Sequence, residues 1–245
     1  MGRRRAAAMI RVLLQRGGGA AGQRAGLLDG EAHHLRVRRV EAGESVEVRD
    51  GDGLTGLGRL VRVGKSWEVE VVSAERAVPG VALTLAVGAG DRDRFAWVVE
   101  KATELGVTAV IPLETERTAG VASRLRAQHL ERLRRHALEA VKQSGAAWAT
   151  RVEEPVSLAM LAERPMAGKG WVADAGGPPV PAVLGETPLT IVIGPEGGLT
   201  GLELERLRGA GYRPVSLGPN TLRFETAAIA AAAAAVAARL RGSDG

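Results

Sequence analysis

A glutamate stands inside a glycine-rich turn late in the sequence, directly after an apolar run. The stretch reads TIVIGPEGGLTGLELERL, from Thr190 to Leu207, and Thr200 and Glu203 have the spacing of a helix capping box. The turn is therefore predicted to join a strand to a helix, whose first N–H groups face whatever the turn holds. Because Glu196 would repel a pyrophosphate, the turn favours a ligand with donor groups or positive charge.

Two common nucleotide signatures do not fit this turn. A Walker loop requires a lysine after its last glycine, and none follows here. The dinucleotide fingerprint G-x-G-x-x-G follows the first strand of its domain, whereas this turn lies late in the chain. S-adenosylmethionine, an adenosine that carries a sulfonium, has both donors and positive charge. The alternative interpretation is that the glycines only let two backbones pack closely.

Two further loops are candidates for the same site. LGPNTLRFETA, residues 217–227, places Arg223, Glu225 and Thr226 at the start of an alanine-rich helix. PLETERT, residues 112–118, follows another predicted strand. Ligands of open parallel sheets collect at the carboxyl ends of the strands, so we expect the three loops to meet. Arg223 and Glu225 could equally form a structural ion pair.

The elements that position these loops change character along the chain. Residues 9–76 alternate apolar and polar positions between Asp-Gly and Gly turns, which predicts hairpins and a small barrel or sheet. Beyond a linker at 76–81, strands alternate with helices, which predicts a mostly parallel α/β sheet. One helix should end at Gly106 and a longer one, Ser123 to Ser144, at Gly145. The predicted strands are ALTLAVGAG, VTAVIPL, GWVADAG, LTIVIG and RPVSLG.

Composition narrows the class of protein. The chain has 245 residues, 45% of them hydrophobic, and no cysteine, which excludes disulfides and thiolate zinc sites. The absence of cysteine suits a cytoplasmic location. The longest apolar run, Ala227 to Ala238, is too short to span a bilayer.

Residues 1–8 are interpreted as a disordered extension. A net charge of +5 permits nucleic-acid binding but equally fits a solvated basic surface.

Adjacent histidines at His33 and His34 have no His/Cys/Asp spacing around them that would predict a metal site. Arginines follow at Arg36, Arg38 and Arg39. We interpret the segment as a strand that faces RNA, with a solvated surface as the alternative.

Four motifs in order resemble the ribosomal RNA small subunit methyltransferase E family (RsmE). They are AHHLRVRRVEAGESVEVRDGDG, EKATELGV followed by PLETERT, GPEGG with T-x-x-E, and LG followed by LRFETA. The resemblance covers Met9 to Leu240. It implies an α/β fold of the SPOUT type at residues 77–245, a parallel sheet with a C-terminal trefoil knot, preceded by a PUA-like RNA-binding barrel at 9–76.

The resemblance also implies a reaction, methylation of uridine N3 in 16S rRNA of the small ribosomal subunit, and a homodimer formed through the knot helices, without metal or membrane. We expect Arg223 to be the catalytic cation and Glu196, Glu225 or a water molecule the proton acceptor. The residues expected to hold S-adenosylmethionine are Leu113, Ile193, Gly194, Pro195, Glu196, Gly197, Gly198, Leu217, Gly218, Leu222 and Thr226. The residues expected to contact RNA are Arg11, His33, His34, Arg36, Arg38, Arg39, Arg92 and Arg117.

The sequence departs from the family pattern at two basic positions. Ala89 stands where the family usually has lysine, and Ala146 where it usually has arginine. Phe224 replaces a residue that is commonly small or polar. A non-catalytic RNA-binding or ribosome-assembly protein of the same fold is therefore the second hypothesis.

Overall fold

The computed structural model describes residues 9–88, 90–118 and 127–243, and the chain divides into two compact units. The first unit comprises the chain up to Pro79 together with Val141–Ala149. The second comprises Gly80–Ala140 and the chain from Thr150 onward. The predicted N-terminal extension, residues 1–8, and Ala89 lie outside the described residues.

The first unit is built on a five-stranded sheet in the order β1-β3-β4-β5-β2. The two outer strands are joined by a bridge between Leu14 and Leu27, with Leu28 N–H donating to the Leu13 carbonyl at 2.8 Å. This bridge closes the sheet into the small barrel that the alternating pattern predicts. Its elements are β1 (Ile10–Leu13), β2 (Arg24–Gly26), α1 (Glu31–Val37), β3 (Ser45–Arg49), β4 (Leu54–Val63) and β5 (Ser66–Arg76).

The strand predicted around His33 and His34 is wrong, because both histidines lie in helix α1. Glu31 and Leu35, one helical turn apart, are buried, and Val37, which the strand pattern would bury with Leu35, is 69% exposed. The Glu31 carboxylate pairs with Lys142 Nζ at 2.6 Å. Since this partner is 111 residues away, no local pattern reveals that Glu31 faces inward.

The second unit contains a seven-stranded sheet in the order β12-β10-β11-β6-β7-β8, with β9 also beside β7. Every pairing in it is parallel, which confirms the predicted α/β class. The elements are β6 (Leu83–Gly88), α2 (Arg92–Glu104), β7 (Ala109–Glu114), α3 (Ala127–Ser144), β8 (Arg151–Val152), β9 (Val156–Ser157), α4 (Leu158–Glu163), β10 (Lys169–Ala173), β11 (Leu189–Ile193), α5 (Gly201–Gly209), β12 (Tyr212–Val215) and α6 (Phe224–Ser243).

Both predicted helix ends carry a glycine in the left-handed region, Gly106 with φ 74° and Gly145 with φ 79°. Along α3 an apolar stripe is buried at Leu130, Leu133, Ala137 and Val141. Residues 123–126, predicted to begin this helix, lie outside the described part of the chain.

Helix α6 packs against α2 and against strands β6 and β11. Alanine suits this role because it lets backbones approach closely, and five alanines of α6 have no exposed surface: Ala228, Ala231, Ala232, Ala235 and Ala238. Near its end the Arg239 guanidinium donates to the carbonyls of Val81, Ala82 and Thr187 at 2.8–2.9 Å. Burial lowers the pKa of Arg239 from its ordinary value. Within the described residues, no helix has both the length and the apolar character to cross a membrane.

Candidate active site

A cavity of about 340 Å³ opens in the second unit, beyond the carboxyl ends of β10 and β11. Small-molecule sites have volumes of about 300–1,000 Å³, so the cavity has the size of a cofactor site. The lining residues are Ala173, Asp174, Ala175, Ile193, Gly194, Pro195, Glu196, Gly197, Gly198, Leu199, Leu204, Leu217, Gly218, Asn220, Thr221, Leu222, Phe224 and Ala227.

The GPEGG turn forms one wall of this cavity. Gly198 N–H donates to the Pro195 carbonyl at 2.8 Å, and Gly198 has φ 71°, a conformation that favours glycine. The turn lies against the end of β6, where a Cβ added to Gly88 would be 2.6 Å from Pro195 N. A Cβ on Gly90 would overlap the Glu196 carboxylate. Two glycines that the sequence analysis did not single out therefore make room for the turn.

A buried carboxylate fixes the helix that follows the turn. The predicted capping box is confirmed: Glu203 Oε2 accepts from Thr200 N–H at 2.8 Å, and the Thr200 hydroxyl accepts from Glu203 N–H at 3.3 Å. The other oxygen of Glu203 accepts from Glu116 N–H at 2.9 Å. Beside it, the Arg117 guanidinium donates to the Gly197 carbonyl. The loop at 112–118 thus braces the GPEGG turn from outside and does not line the cavity.

The charges on the cavity wall have one sign. The ionisable side chains among its described lining residues are Asp174 and Glu196, and no lysine or arginine is among them. Asp174 accepts from Gly176 N–H at 3.0 Å and pairs with Arg208 at 3.3 Å, whereas Glu196 is exposed. A wall with two carboxylates disfavours a phosphate and suits a ligand with positive charge. The remaining lining is mostly apolar or glycine, as an aromatic base requires.

The segment before α6 forms the second wall. Ala227 N–H donates to the Arg223 carbonyl at 2.8 Å, so the helix begins directly after Arg223. Arg223 is exposed, and no described residue forms an ion pair or hydrogen bond with its guanidinium. Glu225 pairs instead with Arg94 at 3.4 Å, which the sequence analysis missed. The ion pair considered between Arg223 and Glu225 is therefore not formed. Glu225 Oε2 is buried without a hydrogen-bond partner in the described structure.

The cavity contains the residues expected to hold the cofactor, except Leu113 and Thr226. Leu113 is wholly buried in the core, and Thr226 is exposed in the first turn of α6. The wall expected from loop 112–118 is supplied by residues 173–175, at the end of β10. The carboxylate of Asp174, directly after the predicted strand GWVA, was the signal that could have identified it. The sequence analysis also did not assign six further lining residues to the cofactor: Leu199, Leu204, Asn220, Thr221, Phe224 and Ala227.

The residues expected to contact RNA fall into two groups. Arg11 already donates to Glu47 at 2.8 Å and to the Lys142 carbonyl at 2.6 Å, and Arg117 to the turn. The other residues have exposed side chains. Arg92 lies at the start of α2. The rest lie on α1 or directly after it: His33, His34, Arg36, Arg38 and Arg39. Within this second group Arg36 also donates from Nε to the Ala32 carbonyl at 3.3 Å, and the exposed side chains of the group are accessible to a partner.

Comparisons with known proteins agree with this architecture. A family model described as an RNA methyltransferase domain matches residues 78–236, and one described as an RNA methyltransferase PUA domain matches residues 27–66. The ribosomal RNA small subunit methyltransferase E of Synechocystis is 34% identical over 213 residues, which cover 82% of this chain and 69% of the relative.

The chain belongs to the ribosomal RNA small subunit methyltransferase E family.

Further relatives are similar to this chain in sequence and in structure. The Aquifex aeolicus enzyme is 32% identical, over 83% of this chain and 90% of its own. A methyltransferase from Legionella pneumophila, solved with S-adenosylmethionine, has a TM-score of 0.82 and 29% identity, over 95% of this chain and 99% of its own. The Neisseria gonorrhoeae family member, bound to the same cofactor, has a TM-score of 0.80 and 28% identity, over 92% of this chain and 96% of its own.

Proposed function

We propose that the protein transfers a methyl group from S-adenosylmethionine to N3 of a specific uridine in 16S rRNA of the small ribosomal subunit. The observation that carries the proposal is the cavity at the strand ends, with its glycine turn, its mostly apolar lining, and two carboxylates but no lysine or arginine among the lining residues. Two structural relatives were solved with this cofactor. The proposed substrate places the protein in the cytoplasm.

The residues of the cavity fit this cofactor. The close approach of Gly88 and Gly90 to the turn leaves its backbone groups in place to hold an adenine and a ribose. Glu196 and Asp174 favour a ligand that carries a sulfonium and an ammonium. Bound there, S-adenosylmethionine would supply an electrophilic methyl group.

The chain itself must supply what uracil N3 lacks. N3 carries a proton and is a poor nucleophile until that proton leaves, after which negative charge spreads onto O2 and O4. A fixed cation beside a carbonyl oxygen stabilises this charge. We assign that role to Arg223, which has no partner in the described structure and stands at the start of α6, where the helix dipole also favours negative charge. Glu196 or Glu225 is proposed to accept the proton.

The test of Arg223 is single-turnover transfer to hypomethylated small subunits. Arg223→Ala should lower the rate by roughly 10²-fold or more, as expected for the loss of one preorganised donor, with much less effect on cofactor affinity. Arg213→Ala is the matched control, because Arg213 is also exposed but lies in β12 and not in the segment before α6 that forms a wall of the cavity. Equal rates for Arg223→Ala and the control would remove Arg223 from the mechanism.

Two architectural features belong to the proposal. One is a trefoil knot, supported by the meeting of turns 194–198 and 217–222 at one cavity of a sheet ordered β12-β10-β11. The other is a homodimer through α6, supported by Leu240, which is 65% exposed at the end of this apolar helix. Light scattering should show a dimer at micromolar concentration and a monomer for Leu240→Glu. A monomeric parent would contradict the dimer.

The second candidate is an RNA-binding protein of the same fold without turnover. Ala89 and Ala146, where the family usually carries cations, favour it. Incubation with methyl-labelled S-adenosylmethionine and hypomethylated small subunits separates the two. Repeated transfer supports the enzyme, and tight binding of subunits without transfer supports the second candidate.

A further inference from the structure

One arginine has a backbone conformation that normally belongs to glycine. Arg39 has φ 53°, and it is the only non-glycine among the described residues with a positive φ. Arg39 N–H donates to the Arg36 carbonyl at 3.1 Å, and Val40 N–H donates to the Leu35 carbonyl at 3.2 Å. This pair of bonds is the Schellman motif that ends α1, and Arg39 occupies the position at which glycine is usual.

An arginine at this position strains the fold. The Cβ of an L-residue crowds the backbone in the left-handed region, whereas glycine adopts it freely. The surrounding contacts hold the conformation regardless, because Leu35 is buried beneath the turn and Val40 packs against the same core. Strain of this kind in a native structure points to a role for the side chain.

The surroundings of Arg39 indicate what that role is. Arg36, Arg38 and Arg39 are exposed together with His33 and His34. Within the described structure none of the three guanidiniums pairs with a carboxylate. The one buried acid of the helix, Glu31, is committed to Lys142. The Arg36 guanidinium makes a hydrogen bond to the Ala32 carbonyl at 3.3 Å and is otherwise exposed like the other two. Three exposed guanidiniums without a carboxylate partner on one short segment form a surface that suits the closely spaced phosphates of a nucleic acid.

We infer that the C-terminal end of α1 is a phosphate-binding anchor for RNA, centred on Arg39, and that the fold gives up stability to place this arginine there. The inference rests on the proposed function for the identity of the RNA. The competing explanation is purely structural, since cations near a helix C-terminus are stabilised by its dipole. That explanation predicts that removal of Arg39 lowers stability, and the anchor predicts the reverse.

The test compares Arg39→Gly with Arg38→Ala, which removes the same charge at a neighbouring residue with ordinary helical φ of −78°. Arg39→Gly should raise the melting temperature by about 2–4 °C. For binding to a 16S rRNA transcript, the plot of the logarithm of affinity against the logarithm of salt concentration should become less steep by roughly 0.7–0.9. Arg38→Ala should reduce the salt dependence without raising the melting temperature. Arg39→Lys should keep the parental salt dependence.

Two results would overturn the anchor: parental RNA affinity and salt dependence in Arg39→Gly, or a melting temperature that fails to rise. Either result would leave the proposed function intact, provided that the unmutated protein still methylates small subunits. Absence of salt-dependent RNA binding in the parent would instead overturn the proposed function as well.

Discussion

Replacement of Gly88 by alanine would place a methyl group against the backbone of the GPEGG turn. The new Cβ would lie 2.6 Å from Pro195 N and 2.7 Å from Pro195 Cδ, whereas ordinary contacts begin at 3.4 Å. Pro195 must therefore retreat by about 0.8 Å, and backbone cannot swing aside as a side chain can. Misplacement by about 1 Å can cost about 10²-fold in a positioned reaction.

We expect Gly88→Ala to weaken S-adenosylmethionine binding by about 10-fold or more, which corresponds to about 1.4 kcal/mol. Gly90→Ala should act more mildly, because the three atoms nearest its Cβ belong to the Glu196 carboxylate, the end of a flexible side chain. Gly201→Ala is the matched control: Gly201 begins α5, and its added Cβ meets no atom within 4 Å.

Isothermal titration calorimetry with each variant measures the affinities, and thermal unfolding without ligand shows whether the variants fold. The reasoning predicts the order parent, Gly201→Ala, Gly90→Ala, Gly88→Ala from tightest to weakest. A folded Gly88→Ala with parental affinity would refute the assignment of the cofactor to this turn.

Two further predictions concern stability. Glu203→Ala should lower the free energy of unfolding by about 1–3 kcal/mol, because it leaves the N–H groups of Thr200 and Glu116 without their acceptor; an unchanged denaturant midpoint would contradict this. The hydrogen bond from Arg11 holds the pKa of Glu47 below its ordinary value of 4.5. The pair therefore stabilises the fold fully above pH 4.5, and this contribution is lost as the pH falls through the folded-state pKa of Glu47. Glu47→Gln should therefore cost at most about 1 kcal/mol at pH 7, since the pair is partly exposed, and progressively less as the pH falls below 4.5; a cost that is independent of pH would contradict the linkage.

Local patterns predicted those elements whose signals are themselves local. The capping box of Thr200 and Glu203, the glycines that end α2 and α3, and the five main strands of the parallel sheet were predicted correctly. Helix α1 was not, because its alternating side-chain types resemble a strand and its buried face is set by Lys142, far along the chain.

The candidate site was predicted in part for a similar reason. Two of its walls carry their own glycine motifs, at 194–198 and 217–222. The third wall, residues 173–175, has only a strand end to mark it, and its place depends on β10 lying between β11 and β12. The requirement for glycine at Gly88 and Gly90 likewise follows from a turn more than 100 residues later, which only the fold brings close.

The position of the transferred methyl group tests the central claim most directly. Hypomethylated small subunits are incubated with the protein and methyl-labelled S-adenosylmethionine, the 16S rRNA is digested to nucleosides, and mass spectrometry against standards identifies the product. The account predicts label in N3-methyluridine from one position of 16S rRNA. Label on C5 or the 2′-oxygen of uridine, label on another base, or no label in subunits that the protein binds, would contradict it.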